Sequence, residues 1–147
     1  MTRFGKLMRT FARPDRGPAA HPSVGYAPEL DGELDPGEVV WAWVPYEDDP
    51  SQGKDRPVLV VGRQGETLFA LQLTSQDHDL DADDEARHGR YWMDIGTGDW
   101  DQQGRPSEVR LDRLIRLEER GVRREGAILD RTTFDAVIRE ARAHHDF

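Results

Sequence analysis

Apolar positions in this chain come in short runs separated by polar stretches rich in Gly, Pro and Asp, and their spacing changes once, near the C-terminus. The run EVVWAWVP at 38–45 gathers β-branched and aromatic residues over a length suited to a strand, which Pro45 ends. Residues 46–55, YEDDPSQGKD, have the composition of a surface loop. PVLVVGR at 57–63 follows as a strand apolar on both faces, and therefore central. A turn at Gln64 and Gly65 leads into ETLFALQLT at 66–74, its predicted hairpin partner. YWMDI at 91–95 predicts another strand, and GTGDWDQQGRP at 96–106 an exposed, turn-rich excursion. Within 107–124, Val109, Leu111, Leu114, Ile115 and Leu117 suit one helical face or two short pieces, and the preferred reading is a helical turn feeding a strand. The last run is different in period. Phe134, Val137, Ile138 and Ala141 stand at i, i+3, i+4 and i+7 behind Asp130 as N-cap, which predicts a C-terminal helix.

Several short strands followed by one amphipathic helix, without βαβ alternation, predict a mainly β fold with α, in the form of a small antiparallel β-barrel. Residues 1–36 read as a basic, Pro/Gly-rich tail ahead of a domain at 37–147. In that tail Phe4, Leu7, Met8 and Phe11 allow a short amphipathic helix with a basic opposite face, open to capping the domain, fraying, or meeting a membrane surface or partner. The acidic run from 76 to 90 offers almost nothing to bury and predicts a solvated loop. A calcium loop of EF-hand type wants Gly at its sixth place and Glu at its twelfth. Counting from Asp77 gives Ala82 and His88, and from Asp79 gives Asp84 and Arg90, so that reading is excluded and no metal is expected.

Composition narrows the class. With 147 residues and 36% hydrophobic content, one core is expected, compact or shared with a second subunit. The absence of cysteine excludes disulfides and thiolate zinc sites and favours the cytoplasm. No apolar run approaches the roughly 18–20 residues of a membrane span, and the charged start lacks the apolar stretch of a signal peptide. The net charge of −9 argues against a surface that grips nucleic acid everywhere. Residues 1–16 hold five Arg or Lys against one Asp, a net +4, which leaves −13 for the rest. Any nucleic-acid site must therefore be local.

A strand opening with Gly37, Glu38, Val39, Val40 and Trp41, the stretch KDRPVLVV at 54–61, a strand ending in LTSQ at 73–76, and the terminal ILDRTTFDAVIREA at 128–141 together resemble the PemK/MazF family of toxin endoribonucleases. The likeness is good over 37–75 and loose over 107–143. It implies an SH3-like barrel of the MazF/CcdB type with a C-terminal helix, a homodimer, a cognate antitoxin, and metal-independent, cofactor-free cleavage of single-stranded RNA. Arg56 matches the family's Arg before Pro, and Thr74 its Thr at the end of the next strand, so the resemblance makes these two the catalytic residues. The long tail, the acidic run and the 96–106 excursion depart from the family pattern.

The chemistry of those residue types agrees with this assignment. Without a metal, attack of the 2′-hydroxyl on phosphorus builds an oxyanion that needs fixed positive charge and hydrogen-bond donors. A guanidinium supplies both and stays charged, which suits Arg56 to stabilising the transition state. Thr74 and Ser75 offer hydroxyls to the scissile phosphate, and Lys54 a point charge on the RNA strand. His78 is a candidate base or RNA contact, or else a solvated histidine among carboxylates. Equally open are pairing of Arg56 with Asp48, Asp49 or Asp55, and a strand-end turn for Thr74 and Ser75. Trp41 and Trp43 alternate with Val40 and Val44, so one pair faces the core and the other can be exposed at an interface. Trp92 and Trp100 flank Gly96, Thr97 and Gly98, where an aromatic can stack a base or fill the core. His144 and His145 are adjacent on a helix end and do not form a metal pair. The competing functions are a non-catalytic MazF-like binding module and a CcdB-type gyrase poison.

Overall fold

The computed structural model describes residues 34–78 and 80–147, the backbone alone within 124–126, and the backbone of residues 23–24. The amphipathic stretch Phe4 to Phe11 and most of the 1–36 tail lie outside the described residues. The strands are β1 (Ser23–Val24), β2 (Glu38–Pro45), β3 (Gly53–Gln64), β4 (Thr67–Thr74), β5 (Trp92–Gly96), β6 (Ser107–Arg110), β7 (Ile115–Glu118) and β8 (Val122–Ile128). Two helices join them, α1 (Ala82–Arg87) and α2 (Arg131–Ala141). Every pairing is antiparallel. The order is β5-β6-β4-β3-β2-β8, with β1 added beside β3 and β7 beside the first half of β4.

The mainly β class with a C-terminal helix holds, and the central hairpin lies where the hydrophobic runs put it. Val58, Leu59, Val60 and Val61 are all fully buried, so β3 has a covered layer on each face. One layer joins Val39, Leu59, Val61, Phe69, Leu71, Leu73 and Val109 to Phe134, Val137 and Ile138 of α2. The other joins Val40, Ala42, Val44, Val58, Val60, Leu68, Ala70 and Ile115 to Leu34. Among the described residues no helix supplies this second layer; it closes because the sheet curls. Laid flat, β7 and β8 on either side of the β4-β3-β2 strip would lie about 19 Å apart, at a strand spacing near 4.8 Å. The chain runs from Glu118 to Val122 through one 3-10 turn, Glu119–Gly121, and four Cα steps reach at most about 14 Å. Only a strongly bent sheet can be threaded this way, and bulges in the β2/β8 and β3/β4 ladders supply local bends.

Four expectations are corrected. Strand β3 begins at Gly53, so Lys54 and Asp55 belong to a strand paired with Val44 and Trp43 and not to the preceding loop. Residues 107–124 form β6, β7, the 3-10 turn and the start of β8; no α-helical turn is present there, because Leu111 and Ile115 are drawn to opposite layers of the core. The acidic run contains α1 and buries His78 and Glu85. Trp100 in the excursion is 4% exposed and lies in the α2-side core, its indole N–H donating to Ser107 Oγ at 3.0 Å, so it presents no face to a base. Leu34, inside the stretch read as tail, is fully buried, and its carbonyl accepts from Arg63 Nη1 at 2.8 Å. Of the tryptophans on β2, Trp43 is the exposed one, while the indole N–H of Trp41 donates to the carbonyl of Trp100. No helix among the described residues is long and apolar enough to cross a membrane.

Helix α2 is capped by Asp130, whose carboxylate accepts from the Thr133 N–H at 3.0 Å, and its apolar face fills the first layer. Replacing Phe134 by Ala leaves a cavity there and is expected to lower the unfolding free energy by about 3–5 kcal/mol, measured by urea titration. A loss under about 1 kcal/mol would show that α2 is not integral to the core.

Candidate active site

Strand alternation sets which side chains share a surface. On β3, Arg56 stands two and four residues before Val58 and Val60, so it emerges on the face of the second core layer, directly across from Ala42 of β2. On β4, Leu68 and Ala70 mark the same face, and Gln72 and Thr74 continue it. The β3/β4 ladder ends with Val58 paired to Gln72, and Arg56 and Thr74 are the next same-face positions beyond that end of each strand. There β4 has already exchanged its other edge from β7 to β6, and Thr74 pairs with Glu108. Arg56 and Thr74 thus end up on one face at one end of the central hairpin.

Arg56 is partly exposed. Of its acidic neighbours, Asp55 is paired with Arg123, and Asp49 accepts from Ser51. Among the described residues Arg56 has no ion-pair partner. Thr74 Oγ1 accepts from the Gln76 N–H at 3.2 Å, which leaves its own O–H as a free donor. Ser75 and Lys54 are exposed.

Two further cations gather at this end, and neither stands out in the sequence. Arg110, buried at the end of β6, has its guanidinium 2.8 Å from Asp112 and 3.0 Å from Glu47. Burial disfavours its charge, but the hydrogen bonds and charges of Asp112 and Glu47 outweigh this and raise its pKa. Asp112 shifts the other way: burial opposes ionisation, and the Arg110 hydrogen bond followed by that of the Tyr91 N–H lowers its pKa. Arg113 donates to the Pro45 carbonyl at 2.8 Å. Its pKa is lowered, first by burial and then, against the raising effect of Glu47, by the charges of Arg110 and Arg56. Arg113 therefore lies within reach of the charges of both Arg110 and Arg56, and Arg110 and Arg113 are already anchored. The signal for Arg110 was the alternation in SEVR, where Glu108 and Arg110 flank Val109; all four residues of β6 are buried, which inverts the usual placement of charge.

His78 is not a solvated histidine. Its ring stacks on Trp92 with centroids 4.4 Å apart and planes 15° from parallel, and its backbone N–H donates to Glu108. Nδ1 lies 3.3 Å from Asp81 and 3.7 Å from Glu85. Glu85 in turn accepts from Arg90 Nη2 at 2.6 Å and from the Trp92 indole N–H at 2.9 Å. The physical reason for the correction is that Glu85, Arg90 and Trp92 fold the acidic stretch back on the sheet, which takes His78 out of water. Atoms of His78, Asp81 and Glu85 all lie within 4.8 Å, a spacing a cation could bridge. Both Glu85 oxygens are already engaged, one by a guanidinium, so a cation would compete with Arg90. This group reads as an internal staple. The tryptophan and glutamate partners were legible as residues but not as a cluster, because Glu85 stands in a run of solvent-type acids.

Residues 35–144 match the model of a family described as PemK-like, MazF-like toxin of type II toxin-antitoxin system. No similar sequence was found among curated proteins. A crystal structure of MazE-MazF (Form-II) from Deinococcus radiodurans aligns with a TM-score of 0.48 at 18% identity, covering 77% of this chain and 96% of that one.

The hydrogen bond from Arg90 holds the Glu85 pKa at about 2, against an ordinary 4.5, over the opposing effect of burial. A carboxylate depressed in the folded state contributes its full stabilisation above pH 4.5 and loses it as pH falls from there through about 2. Glu85→Gln should flatten the fall of unfolding free energy across that window, read from urea titrations at a series of pH values. Parallel curves for the two proteins would show that the Glu85–Arg90 contact is absent in solution.

Proposed function

This chain belongs to the family of PemK-like, MazF-like toxins of type II toxin-antitoxin systems, and from that membership we propose that it is a metal-independent endoribonuclease acting on single-stranded RNA in the cytoplasm, as a homodimer restrained by a cognate antitoxin. The observation that carries the proposal is the guanidinium of Arg56, which has no ion-pair partner among the described residues and is held on the same sheet face and at the same hairpin end as Thr74. In a chain of net charge −9 an arginine without a carboxylate partner is a site prepared for an anion.

In the proposed reaction the 2′-hydroxyl of one ribose attacks the adjacent phosphorus, the bond to the 5′-oxygen of the next nucleotide breaks, and a 2′,3′-cyclic phosphate and a free 5′-hydroxyl result. Arg56 receives two oxygens of the phosphorane on its planar fork, where negative charge rises most. The Thr74 O–H donates to the same phosphate. Ser75 and Lys54, both exposed, extend the contact along the strand, Lys54 by charge alone. Arg113 adds positive potential without approaching the phosphate. His78 holds Trp92 and the acidic segment in place, and we assign it to shaping the RNA surface through that stack.

Purified protein incubated with single-stranded RNA in EDTA should produce ends carrying 2′,3′-cyclic phosphate. Arg56→Ala should reduce the rate by about 10²–10³-fold or more while leaving the circular dichroism spectrum unchanged, and Arg56→Lys should restore only a small part, since an ammonium cannot meet two oxygens in one plane. Undiminished cleavage by the Ala variant would reject the assignment of Arg56.

A further inference from the structure

One polar side chain at this end of the sheet has no partner. Gln72 is 8% exposed, and among the described residues its carboxamide makes no hydrogen bond. Buried amides are almost always satisfied, because both the oxygen and the NH2 lose water when covered. Its position sharpens the anomaly. Val58 faces it across the ladder, and Arg56 and Thr74 follow at the next same-face places on the two strands. On the other edge of β4, pairing with β7 stops at Ala70 and pairing with β6 starts at Leu73. Gln72 therefore stands where the chain bends away between β6 and β7, beside the segment that carries Arg110, Asp112 and Arg113.

We propose that Gln72 is a specificity-determining residue that reads the edge of a nucleobase next to the bond being cut, an inference that rests on the nuclease reading above. The argument is one of matching donors and acceptors. A carboxamide has an acceptor and two donors side by side, so only a ligand offering both kinds of group satisfies it. A phosphate presents acceptors alone and is already provided with Arg56 and the Thr74 hydroxyl. A base edge presents a donor and an acceptor at the spacing of an amide, most completely in adenine, where an amino group adjoins a ring nitrogen. Apolar Val58 and Ala70 beside it keep water from competing for those bonds.

The test is cleavage of a pooled RNA randomised on both sides of the cut site, with product ends sequenced, for the wild-type protein, Gln72→Met and Gln72→Glu. Met keeps the length and apolar fit but has no hydrogen-bonding edge, and Glu keeps the shape but removes the donors, so either variant suffices if the other does not fold. The expected result is that cleavage persists while the preference at one flanking position weakens by about tenfold or more in the Met variant, and that the Glu variant turns against the base the wild type prefers. A uniform slowing with the preference unchanged would place the contact on ribose or phosphate and overturn the proposal. So would a Met variant that cuts like the wild type, the signature of an amide with a purely structural place. If the wild-type protein itself cuts no RNA, the nuclease reading falls and this inference with it, whereas a wild type that cuts beside an unaltered variant profile removes this inference alone.

Discussion

Four consecutive side chains of β3 with no exposure, Val58 to Val61, are the constraint from which the remainder of the structure follows. Successive residues of a strand point to opposite faces, so such a run demands two apolar layers from one sheet. Larger α/β proteins answer that demand with helices on both sides. Among the described residues a single helix, α2, is of sufficient length, and it covers one face only. The other face is covered by the sheet itself, bent until β7 and β8 can be joined by three residues. Curvature here is thus a substitute for a missing helix, enforced by chain connectivity and admitted by bulges.

The same bend determines the electrostatics of the candidate site. It brings the loop carrying Glu47 over the end of β6, where Arg110 is held between Glu47 and Asp112. A buried cation flanked by two carboxylates has no surplus positive charge to offer, so the positive potential at this end belongs to Arg56 and Arg113. The acidic stretch beside Thr74 is managed in a parallel way. Arg90 takes up the charge of Glu85, the one member of that stretch buried in α1, so the carboxylate nearest the sheet is compensated internally. A strongly acidic protein can in this manner keep one anion-attracting spot.

Legibility of the sequence followed the strength of its periodic signal. Strands β2, β3, β4 and β5 and helix α2 were marked by dense apolar runs of the right length, whereas Arg56 and Thr74 were singled out only by the resemblance to the PemK/MazF family. The segment from Ser107 to Ile128 was not, because its strands are four to seven residues long and carry inward-facing charge. Glu108 and Arg110 look like solvated residues until their partners Glu47, Asp112 and the His78 backbone are known, and of these Glu47 and His78 come from distant parts of the chain. For the same reason His78 could be named as a candidate but not placed: its environment is made by Trp92 and Glu85, which only the fold brings to it. Gln72 lacks any local signal at all, being one polar residue within the apolar run between Thr67 and Thr74.

Because β3 and β4 furnish both the double-sided core and the end on which Arg56, Gln72 and Thr74 stand, durability and the proposed chemistry are written in the same few strand positions. Substitutions there are felt by the two together. Divergence in what the protein recognises has a freer route through the connecting stretches 46–52, 75–91 and 96–106, which touch the sheet at a small number of anchors such as Glu47, Glu85 and Trp100. Lineages that keep those anchors can vary the intervening residues widely while leaving the framework intact.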